Sequence, residues 1–417
     1  VNPDFQEIPM QRIARSIVLM CTVAAFAGLS ACTTMKRAVE TEAQQEVRRQ
    51  RDLADTSTFY KSLTERILMR LGDGKHQEIF DVLVLSGGGD FGAFGAGFLL
   101  GWGQVEDPSM RRPKFDFVAG TSTGALLAPL AYLGTDADLQ LGADMYSNPP
   151  SDLVEQNGLI PVLPFHESLA LPTGLRREVA AQLSDAMLER FRKEAATGRV
   201  LACATTNLDF GTFRPFDVLE GVKLDNAAFR ESMMQRLIAS ASIPAVFPPV
   251  EIDGSYYVDG GATENVWSIR NQTEQGTPIS EWRKRYPDKP LPRIRLWYLI
   301  NNQFFPKTPD VKLQWIDIAS AGLSTSLRSA LIKDLNLSAY AAAAENAQVP
   351  GEVEFRFVAI PDDWKPPVKG TFKPETMRSL VELGRKMGAD PASWRTKIPK
   401  LDGTEQPGPP PPVAPTR

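Results

Sequence analysis

Histidine is almost missing from this chain: 417 residues contain two, His76 and His166. Metal centres built on imidazole ligands are therefore not expected, and no cofactor site is read in the sequence. Cysteine is equally sparse. Cys21, Cys32 and Cys203 form no CxxC pair and no even framework, which excludes a structural zinc site and a disulfide-stapled scaffold. A basic surplus is also lacking, with 46 Lys and Arg against 50 Asp and Glu, net −4 and no long basic run. A protein that neutralises nucleic-acid phosphates would show a clustered cationic footprint, so nucleic acid is excluded as a partner. What is present is an ordinary globular balance, 43% hydrophobic and 23% charged. The length suits two or three domains, or one large α/β domain with extensions.

The most apolar stretch near the start is short. Arg12 and Arg15 precede a mostly apolar run, 17–29, too short to span a bilayer comfortably, and the small residues Ser30 and Ala31 lead to Cys32. Basic front, apolar middle and small-residue end are the order of a secretory signal peptide. Leu29-Ser30-Ala31-Cys32 resembles a bacterial lipobox. That resemblance implies a signal over 1–31, acyl chains on Cys32, and an exported lipoprotein held to a membrane by an N-terminal lipid anchor. Thr33 stands where an aspartate goes with inner-membrane retention, which favours the outer membrane. An ordinary secretory signal with an incidental cysteine, or a buried N-terminal helix, are the competing readings. Cys21 would leave with the signal. Cys203 lies in the apolar run 200–204, which reads as a buried strand, and is assigned no chemistry.

Residues 32–77 read as a tether or helical linker, charged and rich in Ala, Gln and Arg with scattered apolar positions. A globular domain is expected over 78–365, followed by a C-terminal extension, 366–417, that ends in a proline-rich tail. Within the domain, apolar strands are expected at 79–85, 115–119, 200–205, 256–258, 293–300 and 353–359. Helical patterns follow the first two at 93–102 and 125–133, and another lies at 231–240. Strand, glycine turn and helix, repeated, describe an α/β fold.

Both glycine turns could carry chemistry. Ser86-Gly87-Gly88-Gly89-Asp90-Phe91-Gly92 follows the first strand, and consecutive glycines let backbone N–H groups point outward together as an anion-binding concavity. Gly87, Gly89 and Gly92 also spell GxGxxG, but a dinucleotide fingerprint asks for an acidic residue about 20 positions on, at the end of the next strand. That strand ends instead in Gly120-Thr121-Ser122-Thr123-Gly124, a GxSxG between strand and helix, which exposes a serine hydroxyl on a sharp turn. Such a serine needs a base. His166 is the one histidine after Ser122, so a histidine-based triad would need an acid between them. Asp259 in Val258-Asp259-Gly260-Gly261 is the better candidate. A carboxylate is a poor base at its ordinary pKa, so desolvation or hydrogen-bond geometry must adjust it.

Four segments in order now resemble the blocks of patatin-like phospholipases: 87–92, 120–124, 239–249 (Ala-Ser-Ala-Ser-Ile-Pro-Ala-Val-Phe-Pro-Pro) and 259–261. The resemblance covers about 80–265 and extends toward 360. It implies a three-layer α/β/α sandwich with a mostly parallel sheet and metal-free hydrolysis of lipid acyl esters. It further implies Ser122 as nucleophile, Asp259 as base, and the N–H groups of Gly87, Gly88 and Gly89 as oxyanion hole. The family usually carries Arg or Lys at the position of Phe91, which bears on head-group preference more than on hydrolysis. Asp90 would likewise disfavour an anionic head group. Asn265 is either a brace for its loop or polar filler. Three functions share this residue set: an acyl hydrolase acting on an acyl-ester lipid, an acyltransferase using the same pair, and a non-catalytic lipid-binding or envelope-scaffolding lipoprotein.

Overall fold

The computed structural model describes residues 39–72, 79–153, 155–156, 168–268, 277–306, 311, 313–349, 351–400 and 405–406. Cys21, Cys32, both histidines and the proline-rich tail lie outside them.

Eight strands form one sheet: β1 (Ile79–Leu85), β2 (Phe117–Thr121), β3 (Val200–Asn207), β4 (Thr212–Asp217), β5 (Val250–Ile252), β6 (Ser255–Asp259), β7 (Arg293–Ile300) and β8 (Val353–Ala359). Their order is β8-β7-β1-β2-β3-β6-β5, with β4 on the other side of β3. The five strands from β8 to β3 run parallel, whereas β4, β5 and β6 pair antiparallel. Central parallel strands are covered on both faces, and their sequences are accordingly near-continuous apolar runs, such as IFDVLVL in β1.

Side chains alternate between the two faces. Leu83 and Leu85 point into one core; Phe80, Val82 and Val84 point into the other. Over the first face lie α2 (Gly92–Trp102), α3 (Thr123–Leu133), α4 (Asp136–Ser147), α5 (Thr173–Gln182), α6 (Asp185–Ala195), α7 (Asn226–Ala241) and a later helix. Over the second lie α1 (Glu42–Gly72), α8 (Pro278–Arg285) and α9 (Trp315–Gln348). This is the three-layer α/β/α sandwich with a mostly parallel sheet that the sequence implied.

Both expected boundaries shift. The segment read as a tether is largely the helix α1, and its second half buries Tyr60, Leu63, Ile67, Leu68 and Leu71 in the second core. Those positions recur at three- and four-residue spacing, so one stripe of a charged helix is a core face. The expected extension likewise contributes α10 (Pro374–Gly388), packed on α2 at backbone contact. A Cβ added at Gly97 or Gly101 would meet the carbonyl oxygens of Val381 and Arg385 at 2.0 and 2.1 Å, so glycine alone permits this approach. Among the described residues, no helix is long and apolar enough to cross a membrane.

Candidate active site

Strand register brings distant residues together. Leu85 pairs with Gly120, so the turns after β1 and β2 leave the sheet side by side at its C-terminal end. β3 pairs with β2 as far as Thr121 and Ala204, and at the next residue, Thr205, its partner is Asp259 of β6. This exchange of partners sets Asp259 beside Ser122, the residue that follows Thr121.

Ser122 has φ 55° and ψ −125°, a backbone conformation that L-residues avoid. Two bonds hold it there. Its N–H donates to the Ser240 hydroxyl at 3.0 Å, which itself donates to the Ala204 carbonyl at 2.6 Å. The turn throws Ser122 out of line with β2 and places it at the N-terminus of α3, where the helix favours negative charge.

Asp259 is buried, and the neighbouring Ser122 side chain draws its pKa down. Oδ1 also accepts the Gly261 N–H at 2.7 Å. Burial outweighs the influence of Ser122 and of the Gly261 N–H and pushes the carboxyl up to about 6. The Asp259 N–H donates to the Ser242 carbonyl at 2.9 Å. Ser240 and Ser242, at the end of α7, thus anchor both Ser122 and Asp259, which gives the segment 239–249 a physical role.

The glycine turn is held from below. Gly87 N–H donates to Asn265 Oδ1 at 2.9 Å, and Asn265 N–H donates in turn to the Asp334 carboxylate at 2.9 Å. Asn265 is therefore a brace rather than filler. Gly87, grouped with Gly88 and Gly89 by resemblance, has spent its N–H on this bond. No described acceptor takes the N–H of Gly88 or Gly89. Asn301 donates its N–H to Ser86 Oγ at 2.8 Å and its Nδ2 to Ser86 O at 2.9 Å, while Asn302 Nδ2 donates to Gly87 O at 2.9 Å. A Cβ on Gly88 would meet the Asn301 carbonyl oxygen at 2.1 Å, so this close approach demands glycine.

Ser122 opens into an apolar pocket of about 850 Å³, counting the space at its mouth. Leu126, Leu127 and Leu130 of α3 and Val179 of α5 line it, with Phe247 and Met377 from elsewhere in the chain. Asp90, expected to repel anions, is instead buried and accepts the Phe372 N–H at 2.9 Å. Burial raises its pKa. Cys203 is free and buried, its thiol pushed up to about 12 by burial, in keeping with a packing role. Among the described residues no group of His, Cys, Asp and Glu is arranged to hold a metal ion.

Sequence reasoning missed Ser240 and Ser242 as anchors, and Asn301, Asn302 and Asp334 altogether. The one signal for the asparagines was a polar pair placed directly after a buried strand.

Residues 83–267 match the family described as patatin-like phospholipase. A solved structure, VipD from Legionella pneumophila, is similar with a TM-score of 0.34 and 12% identity, over 76% of this chain and 67% of that one. No protein with a curated description matches the chain. The family is one of lipid acyl hydrolases, and its matched span contains Ser122, Asp259 and the glycine turn. Over residues 83–267 the chain is accordingly similar to patatin-like phospholipases.

Proposed function

We propose that this protein is a lipid acyl hydrolase that cleaves acyl esters through a Ser122–Asp259 dyad. The observation that carries this reading is the strand register that sets a buried Asp259 beside Ser122, which opens into an apolar pocket. As the Ser122 oxygen attacks the ester carbonyl, its proton passes to the Asp259 carboxylate. Burial raises the proton affinity of that carboxylate toward working pH and so removes the weakness of an ordinary carboxylate base. The tetrahedral oxyanion takes the N–H groups of Gly88 and Gly89. Gly87 positions the turn instead, because its N–H belongs to Asn265. Collapse of the adduct expels the alcohol, which receives the proton from Asp259. Asp259 then deprotonates the water that frees the fatty acid from Ser122. The acyl chain lies along the leucines of α3.

Cys32 with its preceding small residues supports an exported, membrane-anchored lipoprotein; metabolic labelling with a clickable fatty acid, lost in Cys32→Ala, tests this. The hydrolase reading is tested by fatty-acid release from phospholipid, monoacylglycerol and simple esters, together with labelling by an alkyl fluorophosphonate. Release and labelling are expected in the wild type and absent in Ser122→Ala. Label without release from any ester would remove hydrolysis as the function, and release undiminished in Asp259→Asn would remove the dyad.

A further inference from the structure

Phe91 and its neighbour Asp90 both engage one segment outside the matched residues 83–267. That segment, residues 361–373, links β8 to α10. The Phe91 ring meets Trp364 edge-on, with centroids 5.6 Å apart and an interplanar angle of 87°. Asp90 Oδ2 accepts the Phe372 N–H at 2.9 Å. Between these two contacts the strap is exposed from Lys365 to Thr371, while Phe372 turns inward and lines the pocket with Ser122 and Gly89.

Two features mark Phe372 as held rather than merely packed. Its φ is 53°, a left-handed conformation unusual for a bulky residue and sustained only when the surroundings fix it. The group that fixes it is a buried carboxylate, which is costly to place unless its oxygens are used. The strap's base is also secured, with Gln303 Nε2 donating to the carbonyls of Pro361 and Trp364 at 2.7 and 2.9 Å. Its far side is tied by the Thr376 hydroxyl, which donates to Val368 O at 3.1 Å.

We propose that Phe372 is a specificity-determining residue of the acyl pocket and that Asp90 and Phe91 are positioning residues that hold it there. The strap then limits the length of acyl chain the pocket accepts, and the Phe91 ring supplies an aromatic seat for it. This rests on the reading of that pocket as the acyl site.

The test uses the full chain in the Ser122→Ala background, so that no turnover is needed. Saturated fatty acids of increasing length displace a fluorescent fatty acid, and the ratio of affinities for long and short chains is the readout. Phe372→Ala is expected to move that ratio about tenfold or more toward longer chains. Asp90→Ala should reproduce the shift, and Asp90→Asn, which keeps an acceptor for the Phe372 N–H, should retain the parent ratio. Phe372→Leu serves the same purpose if the alanine variant does not fold. The proposal is overturned if affinity changes equally at every length, if Asp90→Ala and Asp90→Asn behave alike, or if no fatty acid binds. Failure of the hydrolase reading is distinct: the wild type would release nothing from any ester while the affinity ratio still responded to Phe372 and Asp90.

Discussion

The hydroxyl of Ser240 accepts the N–H of Ser122 at 3.0 Å and donates its own O–H to the Ala204 carbonyl at 2.6 Å. A fully buried side chain on α7 therefore fixes the strained residue of the turn after β2 through one directed bond. Ser240→Ala would leave a buried N–H and a buried carbonyl unpaired, at about 1–3 kcal/mol. It should also let the Ser122 oxygen wander from its line of attack, where even small misplacements cost up to about a hundredfold. The expected result is a lower melting temperature with kcat reduced about ten- to a hundredfold and KM little changed. Ser240→Thr, which keeps the hydroxyl, should recover part of kcat.

The raised pKa of Asp259 makes opposite demands on activity and stability. A base must be ionised, so kcat/KM should climb as pH rises through about 6 and level off above it. Folding runs the other way. A carboxyl whose folded pKa lies above its unfolded value, near 3.8, favours the fold when protonated. That contribution is complete below about 4 and is lost as pH rises through about 6. Asp259→Asn should therefore be inactive yet more stable than wild type at neutral pH, by up to about 3 kcal/mol, with the gap closing toward pH 4. Parallel melting curves across this range would show it. A gap that does not vary with pH would mean that Asp259 is not held against ionisation.

Asn265 and Gly87 are 178 positions apart in sequence and joined by a 2.9 Å bond. Asn265→Ala removes the nearer of the two Asn265 oxygens that accept the Gly87 N–H and leaves only the backbone carbonyl at 3.3 Å, so the N–H groups of Gly88 and Gly89 lose their fixed aim. Because these groups act on the oxyanion rather than on the bound ester, the loss should fall on kcat, about tenfold or more, with KM nearly constant. Comparing the inhibitor potency of a phosphonate transition-state mimic with the affinity for a product fatty acid gives a second check. The first should weaken in the variant and the second should hold.

What could be read from the sequence was local. The two glycine turns, the serine and the Asp-Gly-Gly each sit at the end of an apolar strand, and their order alone marked the family. Their bracing comes from residues whose importance lies in partners far along the chain, such as Ser240 with Ser122, Asn265 with Gly87 and Asn301 with Ser86. No periodicity or spacing encodes such pairs. β4 escaped notice because Arg214 and Pro215 interrupt its alternation, and β5 because it is three residues long. The packing of α1 on the core went unread for another reason. The high charge of α1 outweighed a stripe, Tyr60 to Leu71, whose spacing was visible.

Strain at Ser122 yields a prediction that separates chemistry from stability. At φ 55° and ψ −125° a side chain crowds its own backbone, a penalty that glycine does not incur. Ser122→Gly and Ser122→Ala both delete the proposed nucleophile, the hydroxyl beside Asp259, so they differ mainly in the presence of a Cβ. Glycine loses more chain entropy on folding, about 0.5–1 kcal/mol, whereas relief of the strained conformation returns about 1–3 kcal/mol. Relief is the larger of the two, so Ser122→Gly should be more stable than Ser122→Ala by roughly 1 kcal/mol in denaturant unfolding, with both inactive. If the alanine variant is the more stable one, the turn carries no strain. The sharp elbow would then be a shape that the Ser240 bond selects at no cost to the fold.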